Sequence, residues 1–397
     1  MAANPRDGRF LGLMRQRIGL DARKLARQSV EGIGHYVHQL ACRLPDLAPE
    51  FEFLLLTDRP IDAGMLPSGC RQVVLGRAFP EGGTWAKVYS PFWTNFLVPD
   101  LLRREKVDLY HATNYALPAT GSCRYVLTVH DIAFIKKPQA FSFIHRRYLI
   151  SQVELGIRRA DWVITGSEAA RNDLVRVVGI GDDRIEVIHH GIDERYTASH
   201  GQEELRSARA ELGLPERFIL HVGAVETKKN IETLLKACSQ LVPEGLVDGI
   251  VLAGREGRGA DSVRRTAASL KLSDTTHFLG YVPLRTMPAL YALSQVLVYP
   301  SWYEGFGLPV LEAMACGTPV IASDSSSLPE VAGGAAVLFP PGSAAALEGA
   351  LRGVLQDSQL RDDLRERGLA RAACFSWDSS ARRHLEIYRR ALGTGQS

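Results

Sequence analysis

Short apolar runs separated by longer amphipathic stretches occur twice over in this chain, and that alternation constrains its fold more than any other feature. In the first half the runs are residues 17–20, 51–57, 72–75, 108–111, 125–130, 162–165 and 185–189. Several are almost continuously apolar, as strands are when helices cover both faces of a parallel sheet. A polar segment rich in Glu, Arg and Ser, residues 198–210, reads as a linker into a second domain. The pattern then restarts, with strands expected at 218–222, 250–253, 277–279, 296–299, 320–322 and 337–339. Helices are expected between them at 231–241, 288–293, 309–315 and 344–356. Two doubly wound halves of this kind define an α/β fold of two Rossmann-like domains. Ligands of such sheets lie beyond the carboxyl ends of the strands. The loops at 223–230, 254–257, 300–308 and 323–329 follow strand ends and carry the distinctive residues.

One of these loops is the richest in chemistry. After the strand at 296–299 come Ser301, Trp302, Tyr303, Glu304, Gly305, Phe306, Gly307, Leu308 and Pro309, then a helix containing Glu312. A helix N-terminus reached through glycines presents free N–H groups and the positive end of a dipole to an anion. Proline suits the start of a helix, where its missing N–H has no partner in any case. The flanking carboxylates Glu304 and Glu312 repel phosphate but accept hydrogen bonds from hydroxyl pairs. A phosphate cradle between two hydroxyl readers fits a nucleotide sugar. A second loop runs His221, Val222, Gly223, Ala224, Val225, Glu226, Thr227, Lys228, Lys229 and Asn230. Lysines at a strand-to-helix turn are compact point charges suited to a diphosphate, whose charge builds up as it leaves in a transfer reaction.

Glu304 and Glu312, set in Glu-Gly-Phe-Gly-Leu-Pro-x-Leu-Glu-Ala-Met, resemble the signature of the retaining glycosyltransferases of family 4. The resemblance runs from about Ile18 to the final helix. It implies the GT-B architecture, with two Rossmann-like domains facing a cleft and a C-terminal helix crossing back to the first domain. The domains expected are 15–197 for the acceptor, 198–376 for the nucleotide sugar and 377–397 for the last helix. It also implies site roles. Glu312 reads the ribose and Glu304 the transferred sugar, while Gly305, Phe306, Gly307 and Leu308 face the donor. Lys229, with Lys228 and the turn at Gly223, holds the diphosphate. Many relatives carry an Arg just after that glycine, where this chain has Ala224. Gly32 and Gly34, in Glu31-Gly32-Ile33-Gly34-His35-Tyr36, match the family's first-domain glycine loop, which faces the diphosphate and helps admit the acceptor. His130, in Thr128-Val129-His130-Asp131, matches a histidine close to the donor sugar. His111 and Asn114 follow another strand, and contact with the acceptor and plain loop hydrogen bonding are equal readings there.

The resemblance further implies hexosyl transfer with retention, without a cofactor or metal, from a nucleotide sugar to a glycan or polyprenyl-linked glycan in cell-surface polysaccharide assembly. GDP-mannose is the first choice of donor. It rests on the Val-His-Asp strand end, the Glu-x-Lys-Lys-Asn loop and Ser-Ser-Leu-Pro-Glu at 326–330, which look like bacterial mannosyltransferases. A UDP-sugar donor, a nucleotide-sugar epimerase or hydrolase, and a non-catalytic scaffold are the alternatives. The adjacent His189 and His190 do not read as metal ligands, because no carboxylate pair with ligand spacing accompanies them. Ser167 is expected to cap a helix, and Glu330 to be structural.

Composition narrows the partners. The 397 residues carry a formal net charge of +3, which gives no electrostatic case for nucleic acid. No run approaches the ~20 apolar residues of a membrane span, and Met1 to Met14 lack the apolar core of a secretory signal. A cytoplasmic protein is expected. Arg146-Arg147 and Arg158-Arg159 read as a solvated helix face, and the competing reading is peripheral contact with an anionic membrane on the inner face of the plasma membrane. The six scattered cysteines form no C-x-x-C pair, and most read as small core residues.

Overall fold

The computed structural model describes residues 15–27, 32–75 and 90–394. The Met1 to Met14 reading and Glu31 of the first glycine loop lie outside them. Two parallel sheets carry the chain. The first is built from β1 (Gln16–Asp21), β2 (Phe51–Thr57), β3 (Cys70–Val74), β4 (Leu109–Ala112), β5 (Arg124–Thr128), β6 (Trp162–Thr165) and β7 (Ile185–Val187), ordered β3-β2-β1-β4-β5-β6-β7. The second contains β8 (Phe218–Val222), β9 (Gly249–Ala253), β10 (Thr276–Gly280), β11 (Val296–Tyr299), β12 (Val320–Ser323) and β13 (Val337–Phe339), ordered β10-β9-β8-β11-β12-β13. In each sheet the order reverses beside the first strand. β1 pairs with β2 and β4, and β8 pairs with β9 and β11. The expected doubly wound α/β fold is therefore present, with a topological switch point in each sheet.

Of the described residues, those up to 113, 118–126 and those from 385 onward form one compact unit, and 114–117 with 127–384 form the other. His130, Lys228, Lys229, Glu304 and Glu312 all belong to the second. In the first unit, the helix Ile33–Ala41 starts after Gly32, which has φ 37°, and buries Gly34, Tyr36, Val37 and Leu40. Tyr36 meets the edge of His111. The helix Trp377–Leu392 ends in this unit. There Tyr388 Oη lies 2.7 Å from His111 Nδ1, and Arg389 donates to Glu50 at 2.6 Å.

In the second unit, alternate residues of each strand feed two cores, as the period of a strand requires. Phe218, Leu220, Leu297 and Tyr299 face one, with Val310, Leu311 and Met314 of the helix Leu308–Ala315. Ile219, Val296 and Val298 face the other, with Ile231, Leu234 and Leu235 of the helix Ile231–Leu241. Burial on both faces explains the continuous apolar runs.

The expected linker is a correction. Residues 202–212 form the helix Gln202–Leu212, begun at Gly201 and ended by Gly213 at φ 59°. Its apolar stripe is short, Leu205, Ala208 and Leu212, of which only Ala208 is buried. The strands expected at 125–130 and 185–189 stop at Thr128 and Val187, which leaves His130, His189 and His190 in the segments that follow. The six cysteines are all free thiols.

Candidate active site

The loops after β8 and β11 flank the switch point of the second sheet, where open α/β sheets place their ligands. They are stitched together. The Trp302 N–H donates to the Lys228 carbonyl at 2.9 Å, and Asn230 Nδ2 donates to the Pro300 carbonyl at 3.0 Å. Asn230 holds this position at φ 54°, a left-handed conformation that asparagine tolerates better than most residues. Its Oδ1 accepts from Thr233 Oγ1 at 2.8 Å.

At the centre of the stitch is a buried ion pair. Lys229 Nζ donates to Glu304 Oε1 at 2.6 Å and to Tyr299 Oη at 2.8 Å. Glu304 is 8% exposed. Burial opposes its ionisation, but the Lys229 and Lys228 ammoniums outweigh burial and hold its carboxyl down at about 2. Burial likewise opposes the charge on Lys228, and the Glu304 carboxylate reverses that effect and raises its pKa. Lys228 and Glu304 are therefore both charged at neutral pH.

A run of serines after β12 fixes the Glu304 loop. Ser323, Ser325 and Ser327 donate to the carbonyls of Ser301, Trp302 and Phe306 at 2.6, 2.7 and 2.7 Å. The Glu304 N–H donates to Ser326 Oγ at 2.8 Å. From the other side Ser167 donates to the Gly305 carbonyl at 2.8 Å and, as expected, caps the helix Glu168–Asp173 by accepting from the Ala170 N–H. Gly305 presses on the segment after β5. A Cβ there would collide with the His130 carbonyl oxygen and stand 2.9 Å from Asp131 Cβ. Gly305→Ala is expected to lower stability by about 1–3 kcal/mol, the range of an overpacked core. An unchanged urea midpoint would show that the contact yields freely.

Glu312 sits in the helix Leu308–Ala315, whose N-cap Gly307 has φ 112°. The carboxylate faces tyrosines. Tyr291 Oη donates to Oε2 at 2.6 Å, and Tyr196, whose ring meets that of Tyr291 edge-on, stands beside them. Burial pushes the Glu312 carboxyl up to about 7, against both tyrosines. At neutral pH it is divided between acid and carboxylate, the reverse of Glu304.

The remaining sequence-derived residues divide. His130 is half-buried, its ring centroid 5.9 Å from that of His190 and 6.3 Å from that of Tyr115. Phe306 turns its side chain into an aromatic cluster with His190 at 4.8 Å and Phe375 at 5.9 Å, so only its backbone is left for a ligand. Trp377 stacks on His190 in the same cluster. His111 is fully buried beside Tyr388, which removes its side chain from contact with an acceptor. Asn114 is half-buried. Glu330 ties elements together, accepting from the Glu168 and Ala169 N–H groups at 3.0 and 3.3 Å and pairing with His189 at 2.7 Å. Tyr299, Tyr291 and Tyr196 were not picked out by sequence reasoning, and the serines were noted only as part of the 323–329 loop. Among the described residues no group of three or more His, Cys, Asp or Glu is placed to hold a metal ion.

Known proteins match this arrangement along most of its length. Residues 30–196 match the model of Glycosyltransferase Family 4, and residues 204–371 that of Glycosyl transferases group 1. The O-antigen chain mannosyltransferase B of Escherichia coli is 32% identical over 289 residues, 72% of this chain and 76% of that one. A D-inositol 3-phosphate glycosyltransferase of Salinispora arenicola is 32% identical over 400 aligned positions, 91% of this chain and 87% of that one. Among solved structures, sucrose-phosphate synthase from Thermosynechococcus elongatus superposes with a TM-score of 0.77 at 24% identity, covering 96% of this chain and 100% of the other.

Proposed function

This chain belongs to the family 4 glycosyltransferases, and from that premise we propose that it transfers a mannosyl group from GDP-mannose, with retention, to a glycan or polyprenyl-linked glycan in cell-surface polysaccharide assembly. The observation that carries the reading is the Lys229–Glu304 pair at the β8/β11 switch point. A cation for a diphosphate and a carboxylate for sugar hydroxyls stand in contact there, as the two sides of a sugar–phosphate bond require. Glu312, on the helix begun at Gly307, reads the ribose. The 32% identity to a mannosyltransferase of O-antigen chains favours the sugar and the class of acceptor.

In the proposed reaction the C1–O bond to the diphosphate breaks and its electron pair leaves with the phosphate oxygen. The acceptor oxygen bonds to C1 on the same face and gives its proton to that leaving phosphate. Lys228 and Lys229 meet the charge that builds on the diphosphate, so the reading needs no metal and no cofactor. His130 stands beside Gly305 of the sugar-reading loop. The protein acts on the cytoplasmic side. No helix of the described residues is long and apolar enough to cross a membrane, and any membrane contact is peripheral. The equal identity to a D-inositol 3-phosphate glycosyltransferase supports a second reading, with another donor and acceptor on the same machinery.

A thermal-shift screen against GDP, UDP, ADP and their sugar conjugates, with chelator present, tests the reading. Stabilisation by GDP and GDP-mannose is expected. A response to UDP compounds alone would replace the donor, and none to any nucleotide would overturn the enzymatic reading.

A further inference from the structure

His221 stands at the carboxyl end of β8 and is fully buried. Its Nδ1 lies 3.1 Å from the Val298 carbonyl oxygen, and only a protonated nitrogen can donate to that oxygen. The ring lies flat against Tyr299, with centroids 5.8 Å apart and planes at 20°. A neutral imidazole has one N–H. With that hydrogen on Nδ1, Nε2 carries a bare lone pair, and this atom has no hydrogen-bond partner. Burial, helped by the Lys229 charge, pushes the pKa down to about 4, although the Val298 bond and Glu304 oppose it. The ring is therefore neutral at physiological pH, and a buried acceptor is left unused.

A donor with a spare hydrogen is close by. The Lys229 ammonium has three N–H groups, of which Glu304 and Tyr299 take two. Lysine and histidine border one gap, the space that Gly223 leaves by having no side chain. A Cβ on Gly223 would stand 3.6 Å from Lys229 Nζ and 3.7 Å from His221 Nε2.

We infer that His221 is a positioning residue for Lys229: its Nε2 lone pair holds the ammonium when the Glu304 carboxylate turns to the hydroxyls of a bound sugar. The inference rests on the roles proposed above for Lys229 and Glu304. In the free site those two groups neutralise each other. A nucleotide sugar competes for both at once, its diphosphate for the lysine and its hydroxyls for the glutamate. A long lysine side chain released from its partner regains rotamer freedom, which opposes binding. A third acceptor removes that loss. A neutral imidazole does so without cancelling the positive charge that the diphosphate needs, whereas a second carboxylate would cancel it. The gap at Gly223 is what lets the two groups approach, directly or through one water.

The decisive comparison is between GDP and GDP-mannose binding by calorimetry, because GDP brings the diphosphate but not the sugar hydroxyls that turn Glu304 away. His221→Phe keeps a flat ring against Tyr299 and removes the lone pair. It is expected to weaken GDP-mannose about tenfold while changing GDP less than twofold. His221→Gln, which presents an amide oxygen at similar reach, is expected to recover most of the loss. In a Lys229→Ala background, His221→Phe is expected to have no further effect. If the phenylalanine variant does not fold, His221→Asn serves instead, since its amide keeps a donor for Val298 but ends short of Nε2. Equal weakening of both ligands, no weakening of either, or a loss that persists undiminished without Lys229 would overturn the inference. Tight GDP-mannose binding by Lys229→Ala alone would sink the proposed role of Lys229 and this inference with it. Intact lysine dependence with a silent His221 would sink only the inference.

Discussion

Replacing Lys229 with alanine is expected to lower turnover of a nucleotide sugar about 10²–10³-fold, the usual effect of deleting one group aimed at developing charge. It is also expected to destabilise the fold, an effect that sequence reasoning does not foresee. Removing one partner of a buried ion pair costs about 3–5 kcal/mol, because the other charge is left uncompensated. Here that charge is Glu304, which would lose its principal cation and retain only Lys228. The effect depends on pH in a definite direction. In the native chain the Glu304 carboxyl is held at about 2, below its ordinary 4.5, so the stability it contributes is present above 4.5 and lost as pH falls towards 2. Without Lys229, burial dominates and the carboxyl rises. The folded variant then takes up a proton that the unfolded chain does not hold. Its deficit relative to the native chain is therefore largest near pH 8 and shrinks towards pH 5. Urea midpoints at the two pH values, measured beside turnover, test this. A deficit equal at both would show that the stranded charge is not its cause. The double variant Lys229→Met with Glu304→Leu should regain stability without regaining turnover, which separates the pair's cost from its function.

What the sequence discloses follows from how local each signal is. The strand cores at 51–57, 162–165, 218–222 and 296–299 are the observed strands, because burial on both faces writes a nearly continuous apolar run into the chain. The helix Gln202–Leu212 escapes because Glu, Arg and Ser dominate its composition and mask a short apolar stripe at Leu205, Ala208 and Leu212. The Glu304 and Lys229 loops are legible because each is a contiguous strand–turn–helix segment. Their contact across 75 positions is not, since it depends on β8 and β11 being neighbours. The same is true of Tyr291 and Tyr196 on Glu312, and of the serines after β12 that fix the Glu304 loop. Residue type misleads where burial decides. His111 and Phe306 look like ligand contacts by position, and the structure gives both side chains to packing.

Changing Glu312 to glutamine is expected to stabilise the protein at pH 8 and to leave it nearly unchanged at pH 5. Burial raises the native carboxyl to about 7 from the 4.5 of an exposed chain, so between these values the folded state binds the proton that the unfolded state has released. Stability therefore falls as pH rises through that window, by on the order of 3 kcal/mol in all, and the whole penalty is present above 7. Glutamine carries no charge, so this contribution to the slope should vanish, while its amide oxygen still accepts from Tyr291. Nucleotide binding should move the other way. The ionised carboxylate is the stronger acceptor for ribose hydroxyls, so GDP affinity of the native protein should rise about tenfold from pH 6 to pH 8. The glutamine variant should bind more weakly at pH 8 and show a flat profile. Thermal melts and GDP titrations at both pH values test the pair of slopes. Parallel melting profiles for the two proteins would remove the buried carboxylate as the source of the penalty. A helix that packs a half-charged glutamate against two tyrosines is less stable than its neutral counterpart, and such a cost is usual where stability yields to function. On the proposed reading, ribose hydroxyls that favour the ionised form would turn that cost into selectivity.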